Sequence, residues 1–164
     1  MVATSVLDSP SALAVAQLQQ DAHRPDVGVI IGAEDADRAI DVAVRTAAAT
    51  GGDVCVIRYV DNIGIRSTDS LIQRSEAART QLARVVSEQV AEHADTSFTE
   101  RLHVGTLESL LRTLEPSIGL VVSQRTPGPS IRQIVSLCPV PVCLVDAAGE
   151  TIVRYPPAGG DDGG

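Results

Sequence analysis

Strand-length apolar runs alternate five times with helix-period segments along this chain, and that alternation restricts its fold more than any other property. Residues 27–31 (VGVII), 54–60 (VCVIRYV), 118–122 (IGLVV) and 140–145 (VPVCLV) are short and apolar at nearly every position, as strands buried on both faces of a parallel sheet are. The remaining run differs: Phe98, Leu102 and Val104 alternate with Thr99, Arg101 and His103, the period-2 signature of a strand with one wet face, which places it at a sheet edge. Between the runs lie helical patterns. Gly32-Ala33-Glu34-Asp35 opens one that carries Ala36, Ala39, Ile40, Ala43, Val44 and Ala47 and stops at Gly51-Gly52. A long one over about 68–93 carries Leu71, Ala78, Leu82, Val85 and Gln89, a third carries Leu107, Leu110, Leu111 and Leu114 up to Pro116, and Gly128-Pro129 starts a fourth through Ile131, Ile134, Val135 and Leu137.

Five strand–helix alternations predict an α/β fold: a doubly wound, five-stranded parallel sheet with helices on both faces. After the turn-like residues 146–149, the stretch 151–155 (TIVRY) returns as an extra antiparallel edge strand. The domain spans 26–156. Residues 1–25 form an N-terminal helical arm, with Ser9 as N-cap, Pro10 at the first helical position and Leu13, Ala16, Leu18 and Ala22 as apolar members; 157–164 form a disordered acidic, Gly-rich tail.

Composition excludes several classes of function. With 164 residues, 44% of them apolar, one domain has ample material for a core. No window approaches the roughly 20 apolar residues of a membrane span, and no basic segment precedes an apolar N-terminal stretch, so a soluble, cytoplasmic protein without membrane contact is expected. Thirteen basic against 21 acidic residues leave a net charge of −8, which argues against a phosphate-neutralising nucleic-acid binder. Phe98, Tyr59 and Tyr155 are the only aromatic residues, too few for base-stacking platforms. Cys55, Cys138 and Cys143 sit in apolar runs without zinc-ligand spacing and read as buried small hydrophobes, so no metal is expected.

Catalytic constellations are missing. There is no Gly-x-Ser-x-Gly elbow, no His-Glu-x-x-His stretch and no Walker lysine; every basic residue is Arg. His103 on the edge strand, His93 at a helix end and His23 in the arm read as surface residues, and Glu34, Asp35 and Asp37 as compensation of a helix dipole. The one stretch with functional shape follows the fourth strand. There Arg125, Thr126, Ser130 and Arg132 surround a helix start, either a solvated loop or an Arg-lined pocket for a small anion or mononucleotide.

Two stretches on this framework carry a resemblance. Residues 29–40 (VIIGAEDADRAI) resemble the first strand and helix start of the universal stress protein family, and 128–142 (GPSIRQIVSLCPVPV) resemble its last helix and the Pro-x-Pro lead into its fifth strand. The resemblance spans roughly 27–146. It implies a strand order of 3-2-1-4-5, homodimerisation, and, in one branch, ATP at the switch point beside strand 1. Residues 140–145, apolar at nearly every position, lie at an edge in that order, so the dimer is expected through the fifth strand, with 151–155 folding back on the same chain as the competing cover. That branch ends strand 1 with Asp and carries Gly-x2-Gly-x9-Gly-Ser/Thr after strand 4. This chain has Ile31 at the Asp position, aligns Gly128 with the final Gly and Pro129 with the Ser or Thr, and lacks the two earlier glycines. The expectation is a non-catalytic, universal-stress-like regulatory or interaction module, homodimeric and open to a protein partner, with a degenerate nucleotide site and no cofactor. The alternative is an ATP- or AMP-binding sensor using a shortened loop, in which Gly32, Arg125, Thr126, Gly128 and Ser130 would contact the nucleotide or anion.

Overall fold

The computed structural model describes residues 26–32, 37–62, 64, 66–124, 137–146 and 149–153, with only the backbone of 146 and 149–153. The N-terminal arm, the tail and the stretch 125–136, which holds Arg125, Thr126, Gly128, Ser130 and Arg132, lie outside the described residues. Six strands, β1 (Asp26–Ile31), β2 (Val54–Val60), β3 (Phe98–Val104), β4 (Ile118–Gln124), β5 (Val142–Asp146) and β6 (Gly149–Val153), form one sheet in the order β3-β2-β1-β4-β5-β6. The first five run parallel, in the 3-2-1-4-5 order, and β6 is antiparallel to β5. The edge strand expected over 151–155 is thus present and begins at Gly149. Its hairpin with β5 pairs β5 on both sides within the chain, so the fifth-strand edge expected to carry a homodimer is taken up by β6, the competing cover.

Helices α1 (Asp37–Thr50) and α2 (Thr68–Glu92) cover one face of the sheet, and α3 (Leu107–Arg112) the other. Under α1, whose Ala39, Ala43 and Ala47 let it lie close, Val27, Val29 and Ile31 of β1 pack with Val54, Val56, Leu120 and Val122. On the opposite face Leu110 and Leu111 of α3, with Cys138 and Val140, cover Ile30, Ile57, Val121 and Leu144. The buried hydroxyl of Thr46 donates to the Val42 carbonyl at 2.7 Å, so it costs the core no unpaired polar atom.

Three boundaries differ from the sequence reading, each for a local reason. Helix α3 stops before Leu114 because Thr113 leaves the helix as its C-cap, and the Arg101 guanidinium takes the Thr113 carbonyl at 2.9 Å. Strand β5 begins at Val142 rather than at 140 because Pro141 has no N–H to give the ladder; its carbonyl instead accepts from Val121 N at 3.1 Å. The third difference is a register shift between β1 and β4. Asp26 faces Ile118 but Val27 faces Leu120, leaving Gly119 over as a bulge. Ile118 and Leu120 would share a face in a regular strand, yet the extra residue sends Ile118 to the α3 side and Leu120 to the α1 side. Gly28 makes room for this: a Cβ there would stand 3.2 Å from Ile118 Cδ1 and 3.4 Å from Ile57 Cδ1.

Candidate functional site

In doubly wound sheets ligands lie outside the carboxyl ends of the strands, near the point where the strand order reverses. Here that point is between β1 and β4, at Ile31 and Gly32 on one side and Ser123 and Gln124 on the other. Ile31 is only 2% exposed and belongs to the core beneath α1. Gly32 is exposed, and it is the one predicted site residue among those described; whether Arg125, Thr126, Gly128 and Ser130 come together there falls outside them. The Gln124 Oε1 atom is buried with no hydrogen-bond partner among the described residues.

A cleft opens one strand away from this point. It encloses about 540 Å³ above the ends of β1 and β2 and is walled by α2, with Gly32, Arg58, Tyr59, Val60, Asp61, Arg74, Ala77, Ala78 and Gln81 around it. Arg58 is the fifth residue of an otherwise apolar strand and lies opposite Ile31 in the ladder. Its Nε donates to Gln81 Oε1 at 2.8 Å and its Nη1 to the Tyr59 carbonyl. Gln81 in turn donates from Nε2 to the Gly32 carbonyl at 3.0 Å, tying α2 to the end of β1. Desolvation draws the Arg58 pKa below the ordinary arginine value, the cost of taking a cation partly out of water. Sequence reasoning missed Arg58, Arg74 and Gln81. The one signal was the lone charge inside the run VCVIRYV, while the Gln81 contact, 23 residues away, left no local trace.

A second cleft, of about 410 Å³, lies at the amino ends of the strands, lined by Asp26, Asp53, Glu100, Arg101, Glu115 and Cys55 among others. Its one cation among the described residues, Arg101, is engaged by Glu115 at 3.8 Å and by Thr113. Cys55, Cys138 and Cys143 are all buried, as expected, and none is in a disulfide; desolvation raises the Cys55 thiol and pushes Cys138 up to about 11. No group of side chains among the described residues is arranged to hold a metal ion.

His103 is less of a bystander than its sequence position suggested. Its Nε2 lies 2.8 Å from Ser109 Oγ, whose hydroxyl donates to the Thr106 carbonyl at 2.9 Å, so the imidazole is the donor to the serine. Desolvation first, and Arg101 second, lower its pKa. No described carboxylate hydrogen-bonds its other ring nitrogen, so nothing orients it as a base. The pair fastens the β3–α3 turn, where Gly105 sits at φ +150° and a Cβ would meet Ser109 Oγ at 2.9 Å and His103 Nε2 at 3.0 Å. His93 caps α2, its N–H bonded to the Gln89 carbonyl at 2.9 Å.

A parallel sheet of order 3-2-1-4-5, helices on both faces and a cleft over its carboxyl ends define a Rossmann-like, doubly wound α/β protein. Within that class the chain has the universal stress protein fold. It is similar to the universal stress protein UspA from Lactobacillus plantarum, with 15% identity and a TM-score of 0.58 over 72% of this chain and 96% of that one. A universal stress protein from Archaeoglobus fulgidus matches with 18% identity and a TM-score of 0.51 over 73% of this chain and 91% of that one. Another, solved in complex with cAMP, matches with 20% identity and a TM-score of 0.50 over 72% and 94%. No protein-family model matches the sequence, and no curated protein matches it. None of the described helices is long and apolar enough to cross a membrane.

Proposed function

We propose that this chain is a non-catalytic, universal-stress-like regulatory or interaction module whose nucleotide site has eroded. The observation that carries the reading is Ile31. Where the ATP-binding branch of the resembling family has a carboxylate, this chain puts an apolar side chain that packs into the core, 2% exposed, and offers a nucleotide no hydrogen bond. The sequence of the following loop agrees, since Pro127 and Pro129 each lack an N–H that a phosphate would use. Loss of two or three charge-assisted hydrogen bonds, at roughly 1.5–3 kcal/mol each, weakens binding about a hundredfold or more. Isothermal titration with ATP is expected to show no binding below millimolar concentrations, and a low-micromolar dissociation constant would overturn the reading. The competing reading, an ATP- or AMP-binding sensor, is favoured by the cationic cleft beside Gly32 and by the cAMP bound to one structural neighbour.

The module acts as a homodimer in this reading. Because β5 is paired on both sides, the second copy is expected along the outer edge of β6, whose backbone donors and acceptors no described strand pairs. Sedimentation at tens of micromolar protein is expected to give twice the chain mass; a monomer there removes the dimer from the proposal.

A further inference from the structure

Among the described residues three large apolar side chains stand exposed, Ile72 and Val90 at 49% each and Val104 at 43%, and all three border one corner of the molecule. The flank of α2 that carries Arg74, Ala77 and Gln81 faces Gly32 and the end of β1. At about 100° per residue, Ile72, Val86 and Val90 fall on the opposite flank, Val90 about five turns after Ile72. They therefore lean outward past β3, the last described strand on that side of the sheet. Beneath them β3 turns Phe98 and Leu102 to the α2 side, and by alternation Glu100 and Val104 as well, while Arg101 and His103 reach Thr113 and Ser109 on the other. No described strand pairs the outer edge of β3. The corner thus has the shape a further strand would fill, with a backbone edge for one wall and an apolar overhang for the other.

Charge decides what fits there. A second copy pairing antiparallel about a twofold axis would set Arg101 against Arg101, Glu100 against Glu100 or Arg101 against His103 in the registers centred on β3, and like charges directly opposite are destabilising. Glu100 is exposed and makes no ion pair with any described residue. It also borders the acidic cleft at the amino ends, beside Asp53 and Glu115, whose one described cation is engaged by Glu115. On the α2 flank Arg79 has Glu76 one turn before it, so the helix adds no net charge and Glu100 sets the sign of the corner.

We propose that this corner takes up an extended, basic–apolar segment of another protein, which joins the sheet as a strand beside β3. Backbone hydrogen bonds to β3 supply affinity, and every second side chain of the segment, turned toward α2, supplies selectivity. On that side the order is apolar, basic, apolar: a cation opposite Glu100, with aliphatic residues two positions to either side against Phe98, Leu102 and Val104 below and Val86 and Val90 above. The net charge of −8 steers a basic segment toward the chain. β3 and β6 lie at opposite ends of the strand order, so a dimer along β6 leaves this corner free in both copies. The inference rests on the reading of the chain as an interaction module and names the surface and the partner's chemistry.

The test titrates the full chain with the blocked peptide Thr-Val-Thr-Arg-Thr-Val-Thr, whose pattern reads alike in both directions, followed by fluorescence anisotropy and hydrogen exchange. Saturable binding is expected, with new protection of the β3 amides that β2 does not pair, and weaker binding when Glu replaces the peptide's Arg. Of two N-methylated peptides, each blocked along one backbone edge, one should lose binding and the other keep it. Glu100→Arg, at an exposed position, should fold as the parent does and reverse the order of the Arg and Glu peptides; Val90→Ser and Val104→Ser should each weaken binding severalfold. No saturable binding up to millimolar peptide, equal binding by both N-methylated forms, or an order unchanged by Glu100→Arg overturns the proposal. So does protection of those β3 amides without peptide: at high dilution it would assign the corner to a segment of the same chain, and if it grows with protein concentration, to a second copy. Tight ATP binding would overturn the eroded-site reading and leave the peptide result standing, so the two failures are distinguishable.

Discussion

Truncating Ile31→Ala is expected to destabilise the fold by about 2–5 kcal/mol, the range for deleting a large aliphatic side chain from a packed core. At 2% exposure the side chain sits at the carboxyl end of β1, enclosed by α1 and the neighbouring strands, and truncation leaves a cavity that the flanking strands cannot collapse into without breaking their ladders. Chemical denaturation measures it, with the midpoint falling and the slope unchanged. A cost under about 1 kcal/mol would mean that the strand end is loosely filled, as the mouth of a working ligand site would be, and would count against the reading of Ile31 as core.

The second large effect is expected at Leu82. Of the 25 residues of α2, only Ala78 and Leu82 are buried, so a long helix is seated on the sheet through one large side chain, with Val85 and Val86 packed beside it. Leu82→Ala is expected to cost about 2–5 kcal/mol and to remove hydrogen-exchange protection from α2 before the rest of the domain. Ile72→Ala on the same helix, where the side chain is 49% exposed, is the control and should be nearly neutral. Equal losses at the two positions would show that α2 is held by something other than its inner stripe.

Most of the architecture was legible in the sequence because it depends on the spacing of apolar residues. Continuous runs placed β1, β2, β4 and β5 in the sheet, β5 at an edge that β6 takes up, and the alternation of Phe98, Leu102 and Val104 with polar residues placed β3 at the other edge. What spacing does not encode is register. The leftover Gly119 between β1 and β4 sends Ile118 and Leu120 to opposite cores, and nothing in IGLVV marks it, since the cause is the fit of Ile118 over the bare Cα of Gly28. The candidate site was less legible for a related reason. Gly32 was read from the strand end, but Arg58, Arg74 and Gln81 meet only because α2 crosses the end of β2, a tertiary placement that neither segment reveals alone.

The position of β1 between β2 and β4 also bears on the order in which the chain assembles. Val27 meets Val54 across 27 residues (54 − 27), whereas Asp26 meets Ile118 across 92 (118 − 26). Loop closure grows as the logarithm of length, so bringing β4 to β1 costs about 1 kcal/mol more chain entropy than bringing β2. The pairings β1–β2 and β2–β3 each join strands consecutive in the chain, and they can zip from the amino end through α1 and α2. Until β4 arrives, the buried strand β1 keeps one flank uncovered. The middle of the finished molecule is in this sense the last seam to close, and the interval before it closes is when two unfinished chains are most apt to pair with each other instead.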